Sequence, residues 1–467
     1  MSDGKLGVWM GALLLAVALP VWAQDPPPDE SGVTGEEALE ETPGEGGGVD
    51  LRFGVEAKAH FRQSDGNRFR VNFPFTPAML PPGGAAFEET VDEGSHFEVS
   101  VLTLFVDAVW SEGLAAHAKI DAIDLYDRNP TSGDKKLDVD EAWIRFGRES
   151  DPGLLPARGG AYLKVGKFPK FERQDDRHLE SYGLVSTAFN RFEDTGVELG
   201  LNLGRHLYLK GSATQGNPLF IRDPNALAGD NGTDDFLGAN PSPELKSGIV
   251  ILYDAEVEDL DTDGDPEIGA GLGLRFGDDA GRNAVDLLVW GYRRTLADTV
   301  DLEGTFYGGH LDLLRGPGEN DPRFRFPGLS GDDKQEVGAN LWVYLGGLTF
   351  FGQFVDQEIA SLPRTGWEGE LAWRFELPLV WAVAGRQLFP SIAPAVRYSR
   401  IDNDFRNPQF TPSPSLNWDW EKLDAGVRFA VIEGIDVTVE YAANRFILGS
   451  GAEAENDELL STLRWRM

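Results

Sequence analysis

The chain has 467 residues, 77 Asp and Glu against 42 Lys and Arg for a formal net charge of −35, 56 glycines and no cysteine. The lack of cysteine excludes a disulfide framework and any thiolate metal site, and an acidic total without an extended basic patch argues against nucleic-acid binding. After Ala23 no apolar run approaches the roughly 18 residues that a spanning helix needs, so a membrane crossing would have to be made by strands.

Met1–Ala23 opens on charged residues (Asp3, Lys5), continues as an apolar stretch from Leu6 to Leu19 and ends in Val21-Trp22-Ala23. This is the layout of a secretory signal peptide that is removed on export. The segment 24–50 is rich in Pro, Gly and acid, has no basic residue and little to bury, and is expected to be a disordered periplasmic tail. A partner-binding acidic arm is the alternative.

From Leu51 the pattern has period two. Leu51, Phe53, Val55, Ala57, Ala59 and Phe61 alternate with Arg52, Gly54, Glu56, Lys58, His60 and Arg62, which puts an apolar row on one face and a charged row on the other. The pattern recurs at Leu199–Leu203, Ile268–Phe276, Val337–Leu345, Trp367–Phe375 and Leu423–Val431. Tight turns at Ser111–Gly113, Gly204-Arg205, Gly346-Gly347 and Glu433-Gly434 alternate with long loops at Ser64–Ser95, Gly216–Lys246, Arg315–Lys334 and Asn403–Asp419. Short turns on one side, long loops on the other and strands of about ten residues describe an all-β transmembrane antiparallel β-barrel over 51–467. The segmentation gives about 18 strands, with one hairpin either way.

Between the alternating segments Ala161–Phe168 and Phe192–Leu203 lies a polar stretch, Pro169–Asn190. It carries Lys170, Arg173, Arg177 and His178 against Glu172, Asp175, Asp176 and Glu180, and its mixed charge predicts an inward-folded constriction loop rather than a piece of core. At the end, Leu459, Leu463, Trp465 and Met467 alternate with Leu460, Thr462, Arg464 and Arg466. The chain therefore ends on a strand that can pair with the first and remove the sheet edge.

The run His96–Leu203 resembles the phosphate-selective porins O and P. The motifs are HFEVSVLTLFVDAVW as second strand, LAAHAKIDAIDL as third, LDVDEAWIRF as fourth, YLKVGKFPKFE entering the constriction loop, and NRFEDTGVELGL after it. They span about a quarter of the chain. The resemblance implies a 16-stranded barrel, a homotrimer, and an anion-conducting pore lined by basic residues in the bacterial outer membrane. Lys164, Lys167, Lys170, Arg173 and Arg177 fall on or beside the family's loop motif. Val99–Leu104 has no basic residue where a cluster is expected on the family's second strand.

Inner-row positions add Arg52, Lys58, Arg62, Arg428, Arg464 and Arg466 as pore-lining candidates. Those on the first and last strands would form a basic stripe at the closing seam, unless lumen charges of both signs pair. Asp259, Asp261, Asp263 and Asp265 alternate around a glycine in the manner of a calcium loop. Ala270 stands at its twelfth position, so a solvated turn is the preferred reading and calcium the one cofactor suggested. No nucleophile and base motif surrounds any of the six histidines, and no enzyme activity is expected. The expected function is passive diffusion of small hydrophilic solutes or ions, with anions and phosphate implied by the resemblance and outer-membrane lipid as the surround. The alternative is a barrel whose acidic extracellular loops bind a surface partner or divalent cations.

Overall fold

The computed structural model describes residues 49–65, 69–71, 86–88, 93–111, 113–123, 137–149, 159–172, 177–189, 193–216, 219–222, 245–247, 254–257, 265–278, 282–295, 300–303, 333–359, 362–379, 381–383, 385–404, 419–447 and 453–467. The expected signal peptide, all but the last two residues of the expected tail, Arg173, Asp259, Asp261, Asp263 and the side chain of Arg62 lie outside the described residues.

Sixteen strands form the wall: β1 (Asp50–Asp65), β2 (Glu93–Ser111), β3 (Leu114–Ile123), β4 (Asp138–Gly147), β5 (Gly160–Pro169), β6 (Glu193–Leu203), β7 (Leu207–Thr214) and β8 (Glu267–Gly277), then β9 (Asn283–Thr295), β10 (Asp333–Leu345), β11 (Leu348–Ile359), β12 (Leu362–Trp373, resuming at Phe375–Glu376), β13 (Ser391–Asn403), β14 (Asp419–Ile432), β15 (Ile435–Ile447) and β16 (Glu453–Arg466). Each pairs antiparallel with the next, and β16 returns to β1 from Glu56↔Arg466 to Ser64↔Glu458. Met467 and Val55 exchange two backbone hydrogen bonds of 2.9 Å, so the ladder closes to the last residue. The count is 16, one hairpin below the segmentation's total of about 18 and equal to the number that the resemblance implies. Short strands such as Leu219–Arg222, Asp254–Val257 and Val300–Glu303 pair with one another in a separate sheet, and the β12–β13 connection makes only a two-residue hairpin (Ala382–Val383 with Arg386–Gln387).

The two rows of each strand have opposite chemistry because the side-chain period is two. Leu51, Phe53, Ile268, Leu272, Leu274, Val337, Leu371, Leu423 and Leu463 are exposed on the outside, a surface that water would not tolerate and lipid does. Phe53, Trp110, Phe146, Phe276, Trp373 and Trp465 stand exposed near the short-turn end, and Phe61, Phe97, Trp367 and Tyr441 nearer the other. From Phe53 to Phe61 is about 27 Å along a strand, or roughly 20 Å along the axis at a 35–45° tilt. Two aromatic belts about that far apart match the interfaces of an outer-membrane hydrocarbon band.

The connection from β5 to β6 folds into the barrel. Its second half is apolar: Leu179, Leu184, Val185, Ala188 and Phe189 are all buried, with Leu184–Ala188 forming a single helical turn, α1. A turn this short gains little from helix propensity, and its position comes from packing. Leu184, Val185, Ala188 and Phe189 join inward-facing Trp290, Tyr292, Trp342, Phe351, Val355, Ile401, Trp420 and Phe446 in one core cluster. The expectation of a loop without core content is thereby corrected. Wall glycines make room for it. A Cβ on Gly426 would lie 2.8 Å from Leu179 Cδ2, and one on Gly366 would run into the Phe189 ring.

Two outcomes follow from this packing. Leu272→Arg, in the middle of the outward row of β8, should cost about 2–4 kcal/mol at the bilayer midplane and reduce the heat-modifiable folded band on gels, whereas Leu272→Ala should assemble normally. Gly366→Val should overpack the Phe189 site by about 1–3 kcal/mol, and limited proteolysis of the folded barrel should then cut between Pro169 and Asn190 faster than in wild type.

Candidate functional site

The inward loop divides the interior. Against it stands a wall of buried charge on β12 to β15, whose groups each meet a loop partner. Glu368 accepts from Val185 N at 3.1 Å, Glu370 from His178 N at 2.9 Å, and the two oxygens of Glu440 from Glu180 N at 2.7 Å and Ser181 N at 2.8 Å. Arg397 donates to Ser181 O and Oγ and pairs with Asp424 at 2.9 Å, while Lys422 donates to Tyr182 O at 2.7 Å. Ion pairs this deeply buried lose hydration roughly equal to their attraction, so they contribute position more than stability. They fix where the loop lies.

A second group forms where the barrel closes. The loop carboxylate of Glu180 receives Lys58 Nζ on one oxygen at 3.1 Å and Arg428 Nη2 on the other at 2.9 Å. Arg464 lies near and pairs with Asp436 at 2.6 Å, and Arg466 pairs with Glu56 at 2.6 Å. Burial alone would push the Glu180 carboxyl toward its neutral form, but Lys58, Arg428 and Arg464 outweigh it and hold its pKa well below the usual carboxylate range. A third group lies at the β4–β5 turn, where Glu149 meets Lys164 at 2.8 Å, Lys210 at 2.9 Å and Arg145 at 3.9 Å. Burial again opposes ionisation there, and the three cations again prevail.

The groups differ in access. Side chains of Lys58, Arg428 and Arg464 keep 19%, 13% and 15% of their surface, against 0% for Arg397 and 1% for Lys422. Lys119, Asp121, Asp107, Asp140 and Glu141 on the inner side of β2 to β4 are also partly exposed. Water therefore reaches the β1–β4 wall and the closing seam, while the loop seals the β9–β15 side.

The structure sorts the sequence candidates. Lys58, Arg428, Arg464 and Arg466 come together at the seam, but carboxylates interleave them, so the stripe is not a bare basic one. Arg52 pairs with Asp50 at 2.9 Å at the short-turn end. Lys164 belongs to the Glu149 group. Lys170 is buried against Glu267 on β8 and stacks over the Tyr292 ring, so it faces the wall rather than the water. Lys167 shares the outward row of Leu163 and Val165 and donates to Val139 O at 2.6 Å, so it does not line the lumen. Arg177 stacks over Tyr182 with its guanidinium carbon 4.2 Å from the ring centre. Asp265 is exposed just before β8. Sequence reasoning passed over Arg397, Glu368, Glu370, Arg145 and Lys210; the first three stand on inner rows opposite Val396, Trp367 and Leu371, and that alternation is the signal that marks them. His117 lies 2.7 Å from Asp107 and stacks on Trp143 within the inner wall. Asp140, Glu141 and Glu193 bring carboxylate oxygens within 4.8 Å of one another, with Lys119 paired to Asp140 as their countercharge.

No family model matches the chain, and no curated protein does. Among solved structures it is similar to the outer membrane channel DcaP of Acinetobacter baumannii, with a TM-score of 0.51 at 10% identity over 90% of this chain and 98% of that one. It is also similar to Pseudomonas putida OprB, with a TM-score of 0.48 at 10% identity over 89% and 94% of the two chains. The anion-selective porin from Comamonas acidovorans gives 0.44 at 7% identity over 90% and 100%. At such identities the likeness is one of fold, and the fold, with its lipid-facing belt, is that of a bacterial outer-membrane barrel.

Proposed function

We propose that the protein is a porin through which small hydrophilic solutes diffuse passively, with weak charge selectivity set by a cationic seam that faces an acidic wall. The observation that carries this reading is the divided interior: an inward loop sealed to one side, and a charged, water-accessible wall on the other. A closed barrel keeps lipid out, and the loop sets the width of what remains, so charge at the open side can sort solutes by size and sign. The partly exposed seam holds Lys58, Arg428, Arg464 and Arg466 against Glu56, Glu180 and Asp436, an excess of one positive charge where β1 meets β16. The facing wall holds Asp107, Asp121, Asp140 and Glu141 against Lys119, and the inner row of β2, with Thr103, Phe105 and Asp107, has no basic cluster to hold phosphate, which favours weak charge selectivity over phosphate selectivity. By the family resemblance we also propose a homotrimer, for which chemical cross-linking should yield a three-chain species.

Purified protein in a planar bilayer should conduct, and the reversal potential across a salt gradient should be small, as opposed charges on the two sides of the path require. Arg464→Gln with Arg466→Gln should lower the anion-to-cation permeability ratio by about two- to fivefold. A silent wild type would remove the channel reading, and an unchanged ratio in the double variant would remove the seam as its source.

A further inference from the structure

We infer that the cradle formed by Lys58, Arg428 and Arg464 is an anion-binding site of the pore, that the chain's own Glu180 carboxylate occupies it, and that a small oxyanion takes it when this carboxylate is removed. The inference rests on the channel reading and adds a site and a resident competitor to it.

The geometry is that of a ligand in a site. The cations come from β1, β14 and β16, all rigid wall elements, and Lys58 and Arg428 take one oxygen each of a carboxylate supplied by the loop. Charge-assisted bonds from separate donors to both oxygens are how oxyanions are held. Lys58 is itself steadied by Glu56 at 3.5 Å, Arg428 by Thr438, whose Oγ1 accepts from Nε at 3.3 Å, and Arg464 by Asp436. The donors therefore stay in place without Glu180.

The loop does not need that carboxylate either. The Glu180 and Ser181 N–H groups are gripped by Glu440, Ser181 by Arg397 and the Tyr182 carbonyl by Lys422. Phe189 and Leu184 are meanwhile held in the apolar cluster. The carboxylate adds charge to the lumen where position is already secured. Removing it raises the excess of the four seam cations over Glu56 and Asp436 from one to two. The cradle's cations also differ from the Arg397 knot in being partly exposed, while the Glu180 carboxylate between them keeps 4% of its surface, so removal of that carboxylate leaves a place beside donors that water already reaches.

The test compares wild type, Glu180→Gln, Glu180→Gln with Arg464→Gln, and Asp121→Asn. The last deletes one carboxylate from the exposed wall outside the cradle. Conductance is measured against potassium phosphate concentration, and reversal potential across a phosphate gradient. Glu180→Gln should raise the anion-to-cation permeability ratio about three- to tenfold and make conductance saturate at phosphate concentrations several-fold below those for wild type. Adding Arg464→Gln should abolish the saturation. Asp121→Asn should shift the ratio less than twofold and leave the concentration dependence as in wild type. If Glu180→Gln and Asp121→Asn behave alike, deletion of any lumen carboxylate suffices and the site is refuted. Failure of Glu180→Gln to form a heat-modifiable barrel would also overturn the assignment, because that carboxylate would then be needed to place the loop. A wild type that does not conduct would instead sink the channel reading beneath it.

Discussion

Closure of β16 on β1 is the constraint on which the rest depends. In hydrocarbon an unpaired backbone N–H or C=O costs several kcal/mol, so a sheet survives there only without edges. Once Met467 is bonded to Val55 and Arg466 lies opposite Glu56, parity assigns the wall residues to the lipid or to the lumen, except where the register shifts, as at Lys119/Ile120 and Ala430/Ile432. The closing seam is also where residues from the two ends of the chain meet. Lys58 and Arg464 are direct partners across it, which no local reading of either strand would place side by side.

The interior then has to hold a loop against a wall it did not fold with. Apolar contact supplies the adhesion, through Leu184, Val185 and Phe189 on a floor of inward aromatics. Buried charge supplies the register. Glu368, Glu370 and Glu440 each accept from backbone N–H groups at a different point of the loop, and a shift of one residue would leave carboxylates unpaired in a dry place. An unpaired buried charge costs about 3–5 kcal/mol, so the wrong placements are penalised far more than the right one is rewarded. The Glu149 group does the same for the β4–β5 turn.

The barrel was legible in the sequence because alternation, turns and a terminal strand all reported the same period. The row Ile268, Leu272, Leu274 and Phe276 is exposed on the outside as read, and Leu423 with it. The site was less legible, for two physical reasons. Parity identifies which side chains point inward but not which of them the loop will cover, so Lys170 and Arg464 look alike in sequence and end on opposite sides of the seal. Lys167 marks the limit of motif transfer, since it lies beside the loop motif yet on the outer row. The dry half did leave a trace: in β9 and β10 Leu288, Trp290 and Trp342 are apolar on the inner row as Val285, Leu287 and Val337 are on the outer. A strand apolar on both faces is buried on both faces, and here what buries the inner one is the loop.

Net charge is a poor guide to such a pore, and the seam shows why. A permeating ion responds to charges within about 8–10 Å at physiological salt, so the total of −35 matters less than the charges along its path, and several of the described carboxylates are cancelled in buried pairs. Arg397 with Asp424 and Lys170 with Glu267 present almost no field to the water path, since each sum is near zero over a few ångströms. What remains is the imbalance of groups left partly wet: carboxylates in excess on β2 to β4, where Asp107, Asp121, Asp140 and Glu141 face Lys119, and cations in excess at the seam. Four cations against three carboxylates at the seam is a difference of one, and one of those carboxylates belongs to the loop rather than the wall. The local field at the seam thus depends on how the loop is placed more than on the composition of the chain, which ties it to the same contacts that seal the other half of the barrel.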